Sequence, residues 1–341
     1  MPTRAAPPRV GLGISTCREG LAYPCGFADL PTTVAIAQQA EQLGFDALWG
    51  NDHLATQRVV MDTQPEPPSF YEPLITFSYL AGIVPRVRLV VATVVAPLRE
   101  PVLLAKQAAT LDRASGGRFV LGLGIGAYRE EFEAIGHQRP KANRGRMMDE
   151  SIAALRALFG QRRAAFEGQY WRFAEIEVYP KPVQDPFPIY LTGSATDQLQ
   201  RVATAADGWI TASTPVDRTN AMITQLRRLA AEAGRDPAGI ETCAQLWVGI
   251  GETSESALDV LSRSQHFRRM QAQDPTAGVD ATVAKFASGN LLGTPEQIRS
   301  RMADYRAAGV DHFALIFLAE SAEELAERVD LFGRTVLIAI K

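Results

Sequence analysis

Apolar residues along the chain fall into two alternating patterns. Short, nearly unbroken apolar runs (RVGLGIS, ALWGN, VRLVVATVVAP, RFVLGLGI, PIYLTG, GWITAS, ETCAQLWVGI and HFALIFL) are separated by longer stretches in which apolar positions recur at helical spacing. Runs of the first kind read as strands covered on both faces, which is the condition of parallel strands lying under helices. The stretches between them carry helix ends. LPTTVAIAQQAEQLGFDALW runs from a Thr cap through Val34, Ala37 and Ala40 to Gly44. REPVLLAKQAATLDRASGGR puts Leu104, Ala108 and Leu111 on one face and stops at Gly116 and Gly117; GTPEQIRSRMADYRAAGVDHF has Thr294 as cap, Pro295 in the first turn and Gly309 at the end.

Eight strand-helix units that each return right-handedly close most simply into an α/β fold, a single (β/α)8 TIM barrel over residues 1–341 with a flexible end at 1–8. Two stretches exceed the repeat. Residues 127–187, before the fifth strand, hold a helix over about Asn143–Phe159 and a hairpin turning at Gly168; its Tyr170, Trp171 and Phe173 are expected in the core or at a dimer contact. Residues 252–290, before the eighth strand, hold a polar helix around Ala257–Met270 and then a Gly-Asn-bearing segment. Insertions of such length in compact folds are usually lids or interface elements.

Composition narrows the partners. The net charge of −3 comes from scattered Lys and Arg, which leaves no basic footprint for nucleic acid. Cys17, Cys25 and Cys243 are an odd, widely spaced set that suits neither a disulfide framework nor a zinc site, so a reducing cytoplasm is expected. The start, MPTRAAPPRVGLG, has no apolar signal core, and the longest apolar run, LVVATVVAPL, is about half of a membrane span.

The fourth run raises a choice. Gly122, Gly124, Gly126 and Ala127 can be read as G-x-G-x-x-A, a dinucleotide turn, or as a strand from which alternate side chains have been removed. A dinucleotide turn belongs at the first strand, with an acidic residue about twenty positions on. Here the glycines end the fourth strand, where a barrel binds its ligands, so either they relieve crowding or a planar cofactor lies near Gly124, Gly126 and Ala127. The same mouth collects Asn51, Asp52 and His53, then Thr93 and Pro97, then Thr192, Gly193 and Ser194, then Thr211 and Ser213.

Of the four histidines, His137 follows Gly in the first insertion, His266 lies in a polar helix, and His312 opens the eighth strand at the stability face. Only His53 points at the mouth, with Asp52 beside it; no further His or Cys converges there to complete a metal site. LTGSATDQLQ passes from strand to helix through small residues, so the free N–H groups with the Ser194 and Thr196 hydroxyls suit a phosphate, or form a plain cap. Cys17 ends the first strand, without a visible base to activate it.

Together AEQLGFDALWGNDHL, the stretch from VRLVVATVVAPLREP to GLGIGAYREEFEAIG, FEGQYWRF, PKPVQDPFPIYLTGS, AADGWIT and the last helix resemble the bacterial-luciferase-like family of flavin-dependent oxidoreductases. The resemblance implies a barrel, usually dimeric, that binds reduced FMN or the deazaflavin coenzyme F-420 at the strands' carboxyl ends. The ring would pass near Thr93, Val94 and Gly124, beside a bulge or non-proline cis peptide in the third strand. The phosphate would rest by Gly193, Ser194 and Thr196, and His53 would face ring and substrate, with Asp52 and Tyr128 as further catalytic candidates. Asp52-His53 is similar to deazaflavin-using members. Against that, the carboxylate that sugar-phosphate dehydrogenases carry after the glycine strand appears as Ala127, and Ile125 stands where luciferase has an Arg.

The expectation is a monooxygenase that takes reduced FMN from a separate flavin reductase and, with dioxygen, oxygenates a small organic substrate. Tyr23, Phe27, Phe70 and Tyr71, in the loops 18–30 and 54–72, suggest that this substrate is mainly apolar. The alternatives are hydride transfer with coenzyme F-420 and a non-catalytic flavin-binding barrel.

Overall fold

In the computed structural model, which describes residues 7–135 and 143–341, strands β1 (Arg9–Gly13), β2 (Ala47–Gly50), β3 (Arg88–Val95) and β4 (Phe119–Gly124) pair in sequence order. They continue into β5 (Ile189–Thr192), β6 (Gly208–Ala212), β7 (Glu241–Ile250) and β8 (His312–Phe317), and β8 returns to pair with β1. Every pairing around the ring is parallel, so the expected closed (β/α)8 barrel is what forms.

Two apolar layers hold it. Val10, Leu12, Leu48, Leu89, Val91, Leu121, Leu123, Leu191, Leu246 and Leu315 face outward under the helices. Ala47, Trp49, Val90, Ala92, Val120, Tyr190, Ile210, Cys243 and Ala314 fill the interior. Because strand side chains alternate, the inward positions of β4 after Val120 are Gly122 and Gly124. The glycines are therefore a strand with its inner side chains removed, and the dinucleotide reading falls with the fold.

The barrel floor is polar. Glu241 pairs with Arg9 and with Arg88, which is 3.2 Å away, and faces His312 Nδ1 at 3.3 Å, while Trp49 Nε1 lies 3.4 Å from His312 Nε2. The ligand-type atoms of Glu241, Cys243 and His312 lie within 4.8 Å of one another, yet the two arginines already occupy the carboxylate, and burial pushes the Cys243 thiol well up. His312 is a structural residue, as its strand position suggests.

Helix ends are mostly where local chemistry places them. Thr294 caps Pro295–Ala307 with a capping box, and Asn143 caps Arg144–Gly160. The first helix, Leu30–Leu43, departs from expectation: Asp29 caps it, accepting from Thr32 N at 2.8 Å. In the first insertion, Ala164–Glu167 and Arg172–Ile176 form the hairpin around Gly168, with Trp171 buried and bonded to Ser151, and Tyr170 accepting from Asn143 N. The second insertion holds three helices rather than one: Ser254–Arg263, Gln265–Gln273 and Val279–Gly289. Ser264 makes the break by capping the second through Phe267 N. A short strand, Leu291–Gly293, then runs along the end of β7. His137 and most of the expected flexible end lie outside the described residues. Among the described residues no helix is long and apolar enough to cross a membrane.

Candidate active site

A cleft of about 300 Å³ opens at the carboxyl ends of β2–β5, lined by Asn51, His53, Thr93, Gly124, Gly126 and Glu131 among others. Its chemistry centres on a pair separated by 78 positions in sequence. His53 leaves β2 with its side chain 16% exposed, and Glu131, on the helix Arg129–Ile135, has its side chain 1% exposed. Both carboxylate oxygens lie within 3.4 Å of His53 Nδ1, and one also accepts from Leu54 N at 2.9 Å. A carboxylate accepts only, so Nδ1 donates to it, and in the neutral imidazole this leaves Nε2 as the nitrogen able to accept a proton. The imidazole is boxed by Phe70 at 5.8 Å and Tyr128 at 5.5 Å between ring centroids. Sequence reading left Glu131 within an acidic run; its neighbour Glu130 instead accepts from Arg58 N.

Asp52 is placed differently from His53. Asp52 also lines the cleft, but its fully buried carboxylate accepts from Arg99 Nη2 at 2.8 Å and Val95 N at 3.1 Å, and Arg99 reaches on to Glu72 at 2.9 Å. Asp52 thus fastens the end of β3 instead of joining His53 in proton chemistry. That strand carries both expected irregularities, a register shift between Val91 and Val94 and a cis Ala92–Thr93 peptide. Thr93 lines the cleft, whereas the Val94 side chain is wholly buried and Val95 takes the lining position. A Cβ built on Gly124 would fall 2.3 Å from Thr93 Oγ1, and Gly126 has φ +79°, so both glycines are demanded by the protein's own packing around the cleft floor. Exposed Ala127 completes the rim.

Beyond β5, Thr192 reaches the cleft and Gly193 O accepts from Trp209 Nε1. Helix Thr196–Ala205 follows, with Ala195 at its cap and no side-chain cap bond, so the plain-cap reading of Ser194 and Thr196 fails; both are exposed beside open N–H groups. Other candidates leave the site. Thr211 is buried against Thr214, and Ser213 bonds to Asn290. Cys17 donates to Tyr71 O, and burial pushes its thiol up to about 12, which removes it as a nucleophile. Tyr23 and Phe27 stack on each other at 4.0 Å inside the core, so half of the aromatic set that suggested an apolar substrate is structural. His266, expected on a polar helix, is packed on Trp247 at 3.9 Å.

Known proteins resemble this chain in sequence and in fold. The chain is 27% identical over 338 residues to an FMNH(2)-dependent dimethylsulfone monooxygenase of Pseudomonas putida, covering 92% of this chain and 88% of that one. An uncharacterized protein of Mycobacterium tuberculosis is 31% identical over 216 residues, 60% of this chain and 76% of the other. Among solved structures, an F420-dependent secondary alcohol dehydrogenase in complex with an F420-acetone adduct superposes with a TM-score of 0.80 at 18% identity, covering 98% of this chain and all of that one. DmoA from Hyphomicrobium sulfonivorans gives 0.77 at 17%, covering 98% and 89%. The model of the luciferase-like monooxygenases matches residues 9–312, and the chain belongs to that family.

Proposed function

We propose that this protein is a monooxygenase that uses reduced FMN, delivered by a separate reductase, and dioxygen to oxygenate a small organic substrate in the cleft beside His53. One observation carries the reading: an imidazole held by a buried carboxylate stands over a cleft whose floor is bare backbone at Gly124. The full-length similarity to an FMNH(2)-dependent enzyme and the alanine at position 127 favour FMN over the deazaflavin.

The residues suit such a group. The backbone of Thr93, Val94, Gly124, Gly126 and Ala127 would flank a flat ring, and the uncapped helix start with Gly193, Ser194 and Thr196 would hold its phosphate through N–H and hydroxyl donors. Reduced FMN supplies the electrons that activate dioxygen. His53 Nε2, oriented through Nδ1 by Glu131, accepts or returns a proton at the reacting atoms, and Phe70 and Tyr128 keep water from it. We read the chain as one domain that works as a homodimer.

The test is anaerobic titration with reduced FMN and with reduced coenzyme F-420, followed by labelled dioxygen and a panel of small sulfur, carbonyl and alkene compounds. Binding of FMN with label in a product is the expected result. Binding of the deazaflavin alone, with hydride transfer and no label, overturns it, as does flavin binding with no turnover of any compound.

A further inference from the structure

Two guanidinium groups near the cleft have no carboxylate partner. Arg18, in the turn after β1, is 7% exposed, and its Nε is buried without a hydrogen-bond acceptor. Arg269, on helix Gln265–Gln273, donates through Nη2 to the Tyr128 hydroxyl at 3.0 Å, while its own Nε is buried and unpaired. His266 adds a buried Nδ1 that also lacks a partner. His266 and Arg269 lie three residues apart on that helix, whose Gln265 Nε2 donates at 3.3 Å to Gly20 O in the turn that starts at Arg18. The undescribed segments, 1–6 and 136–142, contain neither Asp nor Glu, so they hold no missing counter-ion.

Among the described residues Arg18 is the one arginine that is buried outright, and the half-buried arginines find acceptors. Arg99 meets Asp52 and Glu72, Arg88 meets Glu241, and Arg118 donates to the carbonyls of Ala81, Val84, Val87 and Ser115. Exposed Arg268 is paired with Glu320 at 2.7 Å, and half-buried Arg301 and Arg328, whose Nε atoms are also buried and unpaired, donate through Nη2 to Ser288 O and to Glu324. Burying a cation without a counter-charge is costly, so the retention of Arg18 with neither acceptor nor counter-charge indicates that a ligand brings the charge.

We propose that Arg18, His266 and Arg269 bind the anionic head of the substrate, a singly charged carboxylate or sulfonate. Guanidinium forks match two-oxygen anions, and the neutral imidazole supplies a further N–H. Burial, reinforced by Arg269 and Arg18, pulls the His266 pKa down to about 4, which keeps that ring uncharged at neutral pH. Arg269 is reached through an opening of about 400 Å³ that Gly20, Val60, Gln265 and Arg268 also line. Arg269 in turn touches Tyr128, whose ring lies against His53, so one side chain links the anchor to the imidazole. The idea rests on the proposed function for the word substrate, though not for binding itself. It also replaces the mainly apolar ligand suggested by Tyr23 and Phe27, which are core residues.

Calorimetric titration tests it, with methanesulfonate and acetate set against their neutral counterparts dimethyl sulfone and acetamide, on protein with and without saturating FMN. At least one anion is expected to bind about tenfold or more tightly than its counterpart. Arg18→Gln and Arg269→Gln should each weaken that binding about ten- to a hundredfold, and Arg228→Gln, at an exposed arginine paired with Glu232 outside the opening, should leave it unchanged. Absence of anion binding in both states overturns the proposal, as do equal affinities for the neutral compounds or unchanged affinity in both arginine variants. Should Arg18→Gln lose its circular dichroism signal, Arg18→Lys and Arg269→Gln decide. Anion binding without flavin binding would sink only the proposed function; oxygenation of neutral compounds without anion binding would sink only this site.

Discussion

At the scale of single residues, the His53–Glu131 contact is the arrangement on which activity should depend. His53→Ala is expected to lower turnover at least about tenfold with folding intact, since a positioned acid-base group contributes that much or more. Glu131→Gln removes the charge that orients the ring. It should lower kcat about tenfold and move the pH–rate profile, whereas a purely structural residue would change only thermal stability. His53 is legible in the sequence because it directly follows a strand end, where a barrel exposes side chains to ligand. Glu131 is not, because nothing in REEFE tells which carboxylate turns inward; the helix Arg129–Ile135 decides it by burying Glu131 and leaving Glu133 exposed. Arg18 escaped attention for the same reason, since a lone Arg in a turn reads as solvated until its surroundings are known.

Among the elements, β3 is shaped by Asp52. Its carboxylate, with no exposed side-chain surface, holds Arg99 and the Val95 N–H at once. Asp52→Asn removes one of the two carboxylates that meet Arg99, leaving Glu72, and should cost about 1.5 kcal/mol of stability, measurable by urea denaturation. An Asn variant as stable as the parent would return Asp52 to consideration as an acid-base group. Helix ends at Thr294 and Asn143 are legible because capping is decided within four residues. The split at Ser264 is hidden: a serine inside a polar helical pattern is compatible with continuing the helix, and only its bond to Phe267 N reveals a new start. The alternate glycines of β4 are legible as a strand only once the count of apolar runs fixes the barrel.

For the whole molecule, closure was readable from the number and kind of apolar runs, but the charged floor was not, because Arg9, Arg88, Glu241 and His312 meet only after the ring closes. Burial alone would raise the Glu241 carboxyl, yet the His312 hydrogen bond and the charges of Arg88 and Arg9 outweigh it and hold it down to about 2. The unfolded carboxyl titrates near 4.5, so this contribution is complete above that pH and is lost as pH falls through about 2. Acid unfolding should show about 3 kcal/mol of such loss, and Glu241→Gln should flatten it. The rim behaves otherwise. The second insertion departs from β7 and comes back as Leu291–Gly293 alongside Val248–Ile250 of the same strand. Both feet of that excursion stand on one rigid post, so it resembles a fixed awning more than a hinged door. The opening past Gly20 and Val60, proposed above as the way in, is then a standing gap rather than one that a lid must uncover.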